Sequence, residues 1–247
     1  LEPNFGCCTA NLHQGWPKFT AHLFMATRDG GLAAQSYAPC EVTWRVGEAR
    51  VGIAVEGSYP AGEEVLLRVK TSQEAEFPLK LRIPAWAQGA YAQIGEESVP
   101  AQAGQYLTLR RVWKDGDCVR LILPMEVRTE KWYHQTLAVY RGPLLYALPI
   151  ETQWELRGEM PLCDRWARPL SKWNYALLPE YGLTADRTGT RITATAFVCE
   201  EWGEKMGSAD QPPVRPLKGA AKKETITLVP YAASPLRIAQ FPYGREE

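Results

Sequence analysis

From Gly31 onward the sequence is a series of short segments, either apolar or alternating between apolar and polar residues, separated by turns rich in Gly, Pro and charged residues. Residues 64–70 (EVLLRVK) are one clear example. A period of two residues places alternate side chains on opposite faces of a strand, and turns about every ten residues favour antiparallel sheets over alternating β-α units. The sequence therefore predicts a mainly β protein with two antiparallel β-sandwich domains.

In the first sandwich we expect strands at residues 32–37, 41–46, 51–55, 65–71 and 77–83. Residues 106–110 and 118–123 flank the turn Lys114–Asp117, so they are predicted to pair with each other as a hairpin.

In the second sandwich, residues 137–140 and 144–148 flank Arg141-Gly142-Pro143, a sequence that enforces a turn and predicts a hairpin. Residues 151–172, rich in Trp, Arg and Pro, are predicted to be irregular. Later strands are expected at residues 191–198, 225–229 and 236–241.

Charge and length exclude several classes of protein. The chain has 247 residues with 28 basic and 28 acidic side chains, so its formal net charge is zero. Nothing in this balance indicates a nucleic acid or an acidic membrane surface as a partner. No apolar run approaches the roughly 18 to 20 residues that span a bilayer. With 45% hydrophobic residues, the chain has enough apolar side chains for two cores.

Four of the six cysteines, Cys40, Cys118, Cys163 and Cys199, are widely spaced and show no zinc-finger pattern. We expect them to be buried free thiols, because a free cysteine packs as a small hydrophobic residue. Free thiols favour a reducing compartment such as the cytoplasm, although the sequence does not fix the localisation.

The other two cysteines, Cys7 and Cys8, are adjacent and begin the most reactive stretch of the chain, Cys7–Phe19 (CCTANLHQGWPKF). Adjacent cysteines close a strained ring if they pair with each other, so an ordinary disulfide is disfavoured. A zinc site or a reactive thiolate suits them better, since zinc is held by thiolates and the thiolate is the nucleophilic form of cysteine. The alternative is a pair of packed thiols beside the start of a helix.

Residues 9–27 carry the one convincing helical signal. Asn11 and Gln14 have the spacing of a capping box, and Pro17 suits a first helical turn because its missing N–H has no partner there. Phe19, Leu23 and Phe24 then share one face.

Three side chains in this stretch are candidate substrate contacts: His13, Gln14 and Trp16. A lone histidine is more often a hydrogen-bonded structural group, and Trp16 suits core packing as well as sugar stacking. His22 and His134 are predicted to be structural.

The chain resembles the beta-L-arabinofuranosidase family, glycoside hydrolase family 127 and its relatives. The double cysteine followed by an asparagine is the most specific part of the resemblance. Five later segments occur in the same order: LRIPAWA (Leu81–Ala87), VWKDGDCVRLILPM (Val112–Met125), YRGPLLYALPIE (Tyr140–Glu151), KWNYALLPE (Lys172–Glu180) and LRIAQFP (Leu236–Pro242).

The resemblance implies an alpha/alpha-barrel catalytic domain followed by two β-sandwiches. Residues 1–29 would be the end of the barrel, including its last helix, residues 30–128 the middle sandwich, and residues 129–247 the C-terminal sandwich. The chain would then be the C-terminal part of the enzyme, inactive without its barrel.

The resemblance also implies a retaining, zinc-dependent glycosidase that acts on arabinose-containing glycans. In this family Cys7 would be the nucleophile and also bind zinc, and Cys8 would be a second zinc ligand. The remaining ligands, a glutamate and a third cysteine in a Glu-x-Cys motif, and the general acid/base glutamate lie upstream of this sequence.

The alternative hypothesis is a non-catalytic β-sandwich module with a carbohydrate-binding or structural role, the latter including support of the barrel or of a homodimer. Among the nine tryptophans and eleven tyrosines, Trp166, Trp173 and Tyr175 are the favoured surface aromatics, because they lie in the least regular region.

Overall fold

The structure, a computed structural model, describes residues 7, 11–160, 163–205, 208–214, 216–218 and 222–245, with the side chains of Leu12, Lys205 and Ser208 excepted. The described chain is mainly β, as the sequence predicts. It divides into two compact units, Leu1–Met125 and Glu126–Glu247.

The helical segment at the start is shorter than predicted. A 3-10 helix covers Leu12–Gln14 and the α-helix α1 covers Gly15–Ala21, whereas Phe24–Ala26 is a strand, β1. Strand β1 pairs antiparallel with β2, Leu32–Ala34. The helix ends because Leu23 and Phe24 are buried in the core of the first unit, where the backbone pairs with a neighbouring strand instead.

Eight further strands complete the first unit: β3 (Cys40–Val46), β4 (Ala49–Gly57), β5 (Glu64–Thr71), β6 (Ala75–Arg82), β7 (Tyr91–Ile94), β8 (Glu97–Pro100), β9 (Tyr106–Trp113) and β10 (Cys118–Ile122). They form a four-stranded sheet in the order β1-β2-β6-β9 and a six-stranded sheet in the order β3-β4-β5-β10-β7-β8. The pairing is antiparallel except between β2 and β6, which run parallel.

The two sheets of the first unit share one apolar core, as expected of a sandwich. Phe77 and Leu79 enter it from the four-stranded sheet, and Ile53 and Leu67 from the six-stranded sheet. Trp113 is fully buried among them; its ring stacks on Phe77 and its indole N–H donates to the Phe77 carbonyl at 3.0 Å.

The predicted hairpin around Lys114–Asp117 is wrong. Strand β9 pairs with β6 in one sheet and β10 pairs with β5 and β7 in the other, so the turn carries the chain from one sheet to the opposite one. The turn itself forms: the Asp117 carboxylate accepts from the Lys114 backbone N–H at 2.9 Å, and Gly116 takes a positive φ of 86°.

The second unit contains fourteen strands among its described residues: β11 (Val127–Lys131), β12 (Leu137–Arg141), β13 (Leu144–Pro149), β14 (Thr152–Arg157), β15 (Asp164–Pro169), β16 (Tyr175–Leu177), β17 (Leu183–Ala185), β18 (Ile192–Val198), β19 (Glu204–Lys205), β20 (Ser208–Ala209), β21 (Leu217–Lys218), β22 (Glu224–Pro230), β23 (Arg237–Ile238) and β24 (Gly244–Arg245). Short 3-10 helices cover Tyr133–Gln135, Pro179–Tyr181 and Tyr231–Ala233.

An eight-stranded sheet runs in the order β11-β12-β13-β22-β18-β16, with β17 paired to β18 and β23 paired to β13. The predicted hairpin of β12 and β13 is confirmed, with Arg141 opposite Leu144. Buried side chains such as Tyr146, Ile192 and Leu228 form its main core. Ala176, Phe197 and Trp202 belong to a second, smaller cluster.

Residues 151–172 are more regular than predicted, because β14 and β15 pair as an antiparallel two-stranded ribbon. None of its side chains is buried, and nine of the twelve are exposed. It is held together by local contacts: Glu155 pairs with Arg168 at 2.7 Å, and the Arg157 guanidinium lies 3.7 Å from the centre of the Trp166 ring. These contacts involve charged and aromatic side chains, and the segment has no repeat of apolar residues. Its sequence therefore looks like that of a loop.

Candidate functional site

The segment before β1 contains every candidate site residue predicted from the sequence. Cys7 has helical backbone geometry and its side chain is exposed. Cys8 lies outside the residues that the structure describes. Exposure of Cys7 is compatible with access by a substrate or a metal ion, whereas the packed-thiol alternative requires burial.

Three polar side chains, those of Asn11, Gln14 and Lys18, are connected in a row along the helical segment. The Gln14 amide donates to the Asn11 side-chain oxygen at 2.9 Å, and the Lys18 ammonium lies 3.5 Å from the Gln14 side-chain oxygen. Gln14 is the N-cap of α1 and makes no side-chain capping bond. The two amides bind each other in place of the backbone N–H groups, which orients both side chains.

His13 and Trp16 are both exposed, and Trp16 retains 74% of its accessible surface. No residue of α1 is buried, and Phe19 on the same helix is 46% exposed. The core-packing alternative for Trp16 therefore finds no core within the described residues. The predicted apolar face of the helix is also wrong, because Leu23 and Phe24 enter the sandwich core from beyond the helix end.

The side chains of His22 and His134 each form a hydrogen bond with a backbone carbonyl, in agreement with their predicted structural role. Nδ1 of His22 donates to the Lys18 carbonyl at 2.6 Å, which closes the end of α1. Nδ1 of His134 donates to the Pro212 carbonyl at 3.0 Å, and its ring stacks on Tyr133.

Among the described residues, no group of three His, Cys, Asp or Glu side chains could hold a metal ion. The predicted zinc site includes Cys8 and ligands upstream of this sequence, so it falls outside that search. Cys40, Cys118, Cys163 and Cys199 are free thiols, as predicted, but only Cys199 is fully buried. Burial raises the pKa of the thiols of Cys40 and Cys199, which makes them poor nucleophiles near neutral pH.

The surface aromatics chosen from the sequence are only partly correct. Trp166 is exposed, but Tyr175 is buried and its hydroxyl donates to Glu224 at 2.8 Å. Trp173 is half-buried with its ring edge-on to Trp202. Four aromatics that the sequence did not single out, Trp132, Tyr140, Trp202 and Tyr231, instead line one pocket. They come from distant parts of the chain, so only the fold brings them together.

The fold of this chain matches part of several longer solved structures. It aligns with a GH127 beta-L-arabinofuranosidase from Geobacillus stearothermophilus T6 at a TM-score of 0.62 and 24% sequence identity, over 98% of this chain and 37% of that one. A structure described as a glycoside hydrolase aligns at 0.63 and 18% identity, over 97% and 40%. A GH127 beta-arabinofuranosidase aligns at 0.63 and 18% identity, over 98% and 40%.

Residues 31–125 match the sequence model of the family described as beta-L-arabinofuranosidase, GH127 middle domain. The resemblance to this family is therefore confirmed over residues 31–125, which lie in the first unit and match the middle domain. The chain spans roughly two fifths of the length of the solved structures that it matches. A comparison with curated proteins gives no match. In the described part of the chain, no helix has the length and apolar character that a membrane span requires.

Proposed function

We propose that this chain is the C-terminal part of a retaining, zinc-dependent glycoside hydrolase that removes terminal beta-L-arabinofuranosides or related furanosides, with Cys7 as the nucleophile. The observation that carries the proposal is the match of residues 31–125 to the GH127 middle domain, directly after a segment in which the Cys7 thiol is exposed. The matched structures whose descriptions name an activity are arabinofuranosidases.

The exposed helix α1 supports the position of this segment in the whole enzyme. Trp16 and Phe19 present large apolar surfaces that no described residue covers. Burial of such side chains contributes about 1.5–3 kcal/mol each, so a helix of this kind is stabilised by packing against a neighbour. We assign that neighbour to the catalytic barrel, of which α1 is then the last helix. His13, Gln14 and Trp16 lie on the same exposed segment and are the proposed substrate contacts.

The donor type of the segment fits zinc. Cys7 offers an exposed sulfur, and adjacent Cys8 offers a second one in sequence. Zinc prefers thiolate and imidazole ligands, and a bound zinc ion keeps a coordinating thiol deprotonated. Two ligands are too few for a structural site, so the remaining ones come from the barrel.

The chemistry assigned to Cys7 is a double displacement. The Cys7 thiolate attacks the anomeric carbon and forms a carbon–sulfur bond, while a carboxylic acid from the barrel protonates the glycosidic oxygen and the aglycone leaves. The resulting carboxylate then removes a proton from water, whose oxygen bonds to the anomeric carbon as Cys7 departs as a thiolate. Two inversions at the same carbon retain its configuration.

Zinc analysis of the full-length enzyme tests the metal part of the proposal. We expect one zinc per chain in the unmodified protein and loss of most of it in Cys8→Ser. Cys118→Ser is the matched control, because Cys118 is a half-buried thiol of β10 in the sandwich. Full zinc content in Cys8→Ser would exclude Cys8 as a ligand.

A further inference from the structure

The second unit has a pocket of about 460 Å³ whose walls are aromatic. Trp132 and Tyr231, with 49% and 44% of their surface exposed, line it together with half-buried Tyr140 and buried Trp202. Its volume is in the range of about 300–1,000 Å³ that small-ligand pockets occupy. Exposed aromatic faces in such a pocket offer apolar planes to a ligand.

Two polar side chains of the pocket, Gln240 and Arg237, have hydrogen-bond donors without a partner among the described residues. The Thr136 hydroxyl lies 3.4 Å from the side-chain oxygen of Gln240, and the amide nitrogen of Gln240 bonds to no residue that the structure describes. Nε of Arg237 is buried and makes no hydrogen bond to the described residues. Since Nε is shielded from solvent, the amide nitrogen of Gln240 is the donor available to a ligand.

The charged guanidinium of Arg237 already interacts with neighbouring groups of the protein. Its Nη1 donates to the backbone carbonyls of Ser234 and Pro235. The guanidinium lies 3.6 Å from the centre of the Tyr231 ring, in a cation–π arrangement. Arg237 is therefore a poor site for an anion, which agrees with a neutral ligand.

The pocket is held in shape by a strained turn. His134 and Gln135 have positive φ values of 56° and 58°, which residues other than glycine rarely adopt. The turn is anchored because Thr136 O accepts from the Trp132 N–H at 2.8 Å and His134 donates to Pro212, another residue of the pocket wall. Backbone strain of this kind persists only where the surrounding contacts hold it, and here they fix the position of Trp132.

We propose that this pocket binds one or two sugar residues of a neutral glycan, at a non-catalytic site in the second unit. The C–H face of a sugar ring is apolar and stacks on Trp132 or Tyr231, while a hydroxyl of the sugar accepts a hydrogen bond from the Gln240 amide. The site does not depend on the nucleophile assigned to Cys7. It would hold a branched or polymeric substrate on the enzyme between catalytic events.

Isothermal titration calorimetry of the 247-residue chain with arabinotetraose and with xylotetraose tests the proposal. We expect saturable binding of at least one of these neutral sugars. Trp132→Ala and Gln240→Leu should each weaken it about tenfold, through loss of a stacking plane and of a donor respectively. Near-UV circular dichroism of each variant establishes that the fold is retained, and Gln240→Leu still tests the site if Trp132→Ala does not fold.

Trp154→Ala is the matched control, since Trp154 is a tryptophan of the same unit with a similar 47% exposure and lies outside the pocket. It should leave binding unchanged, as should Cys7→Ser, which separates this site from the proposed catalytic one. Absence of binding to both sugars, or an equal loss in Trp154→Ala and Trp132→Ala, would overturn the proposal.

Discussion

Asp29 ties the turn between β1 and β2 to neighbouring strands. Its carboxylate accepts from the Thr27 hydroxyl and lies 2.9 Å from Nζ of Lys80 and 3.6 Å from the Arg110 guanidinium. The hydrogen bond from Thr27, followed by that from Lys80, lowers the pKa of Asp29 to about 2. Because these groups favour the charged carboxylate, the folded state binds its proton less readily than the unfolded chain does.

The contribution of Asp29 to stability therefore depends on pH. It is fully present above the ordinary pKa of an aspartate, about 4, and is lost as the pH falls from there towards about 2. Asp29→Asn should flatten the fall in unfolding free energy over this window, as measured by urea denaturation at several pH values. Glu48→Gln, which removes an exposed carboxylate with no salt bridge to the described residues, should leave the slope unchanged. Equal slopes for Asp29→Asn and the unmodified chain would contradict the assignment.

Gly31 permits the parallel pairing of β2 with β6. A Cβ atom at this position would lie 2.1 Å from the Pro78 carbonyl oxygen, far inside van der Waals contact. Gly31→Ala should therefore lower the unfolding free energy by about 1–3 kcal/mol, the usual cost of overpacking.

Gly52→Ala is the control for this substitution. Gly52 is a buried glycine of β4 whose added Cβ would meet its nearest neighbour at an ordinary 3.5 Å. It should be neutral or slightly stabilising, since alanine loses less backbone entropy on folding. Thermal unfolding of both variants decides the matter: similar melting temperatures would show that β2 and β6 can separate without loss.

At the scale of elements, the positions of several strands were predictable, whereas of the two predicted hairpins only that of β12 and β13 formed. Alternation located β3 to β6 within about three residues of their ends, because each strand has one face in a core. The turn Lys114–Asp117 was also recognised, yet turn chemistry does not specify which sheet the next strand joins. The same limit applies to β1. Its Phe24 fits a helical pattern in the sequence, but in the structure it is buried in the core of the first unit.

The exposed helix α1 leads to a prediction about these elements. In the 247-residue chain, Trp16→Ser and Phe19→Ser should each change the unfolding free energy by less than about 0.5 kcal/mol, because neither side chain is buried. Trp113→Ala, in contrast, empties a fully buried position and should cost about 3–5 kcal/mol.

In the full-length protein the same two serine substitutions should become destabilising, since the proposed barrel covers α1. Differential scanning calorimetry of both proteins makes the comparison. An unchanged melting temperature in the full-length variants would show that α1 does not pack against the barrel.

At the scale of the whole molecule, each unit has its own core. The buried residues of the first core lie between Leu23 and Leu123, and those of the others between Leu137 and Phe241. Leu79→Ala should therefore increase amide hydrogen exchange in β6 and β9 while leaving β18 and β22 protected. Leu228→Ala, an equally buried leucine of the second unit, should do the reverse. Parallel loss of protection in both units by either variant would mean that they unfold as one.

The family was recognisable in the sequence because the double cysteine and the order of several strand segments together are specific. The aromatic pocket was not, since Trp132, Tyr140 and Tyr231 meet only after β11, β12 and the segment following β22 are assembled. The zinc site and the role of Cys8 stay predictions. The remaining zinc ligands are expected in the barrel. Two adjacent cysteines by themselves do not define the geometry of a four-ligand site.

The assignment of Cys7 as nucleophile is tested most directly by hydrolysis of a beta-L-arabinofuranoside with the full-length enzyme and its Cys7→Ser variant, with Cys163→Ser as a control for general thiol loss. We predict hydrolysis with retained anomeric configuration, an activity loss of about 10⁴-fold or more in Cys7→Ser, and full activity in Cys163→Ser. Undiminished hydrolysis by Cys7→Ser would contradict the account.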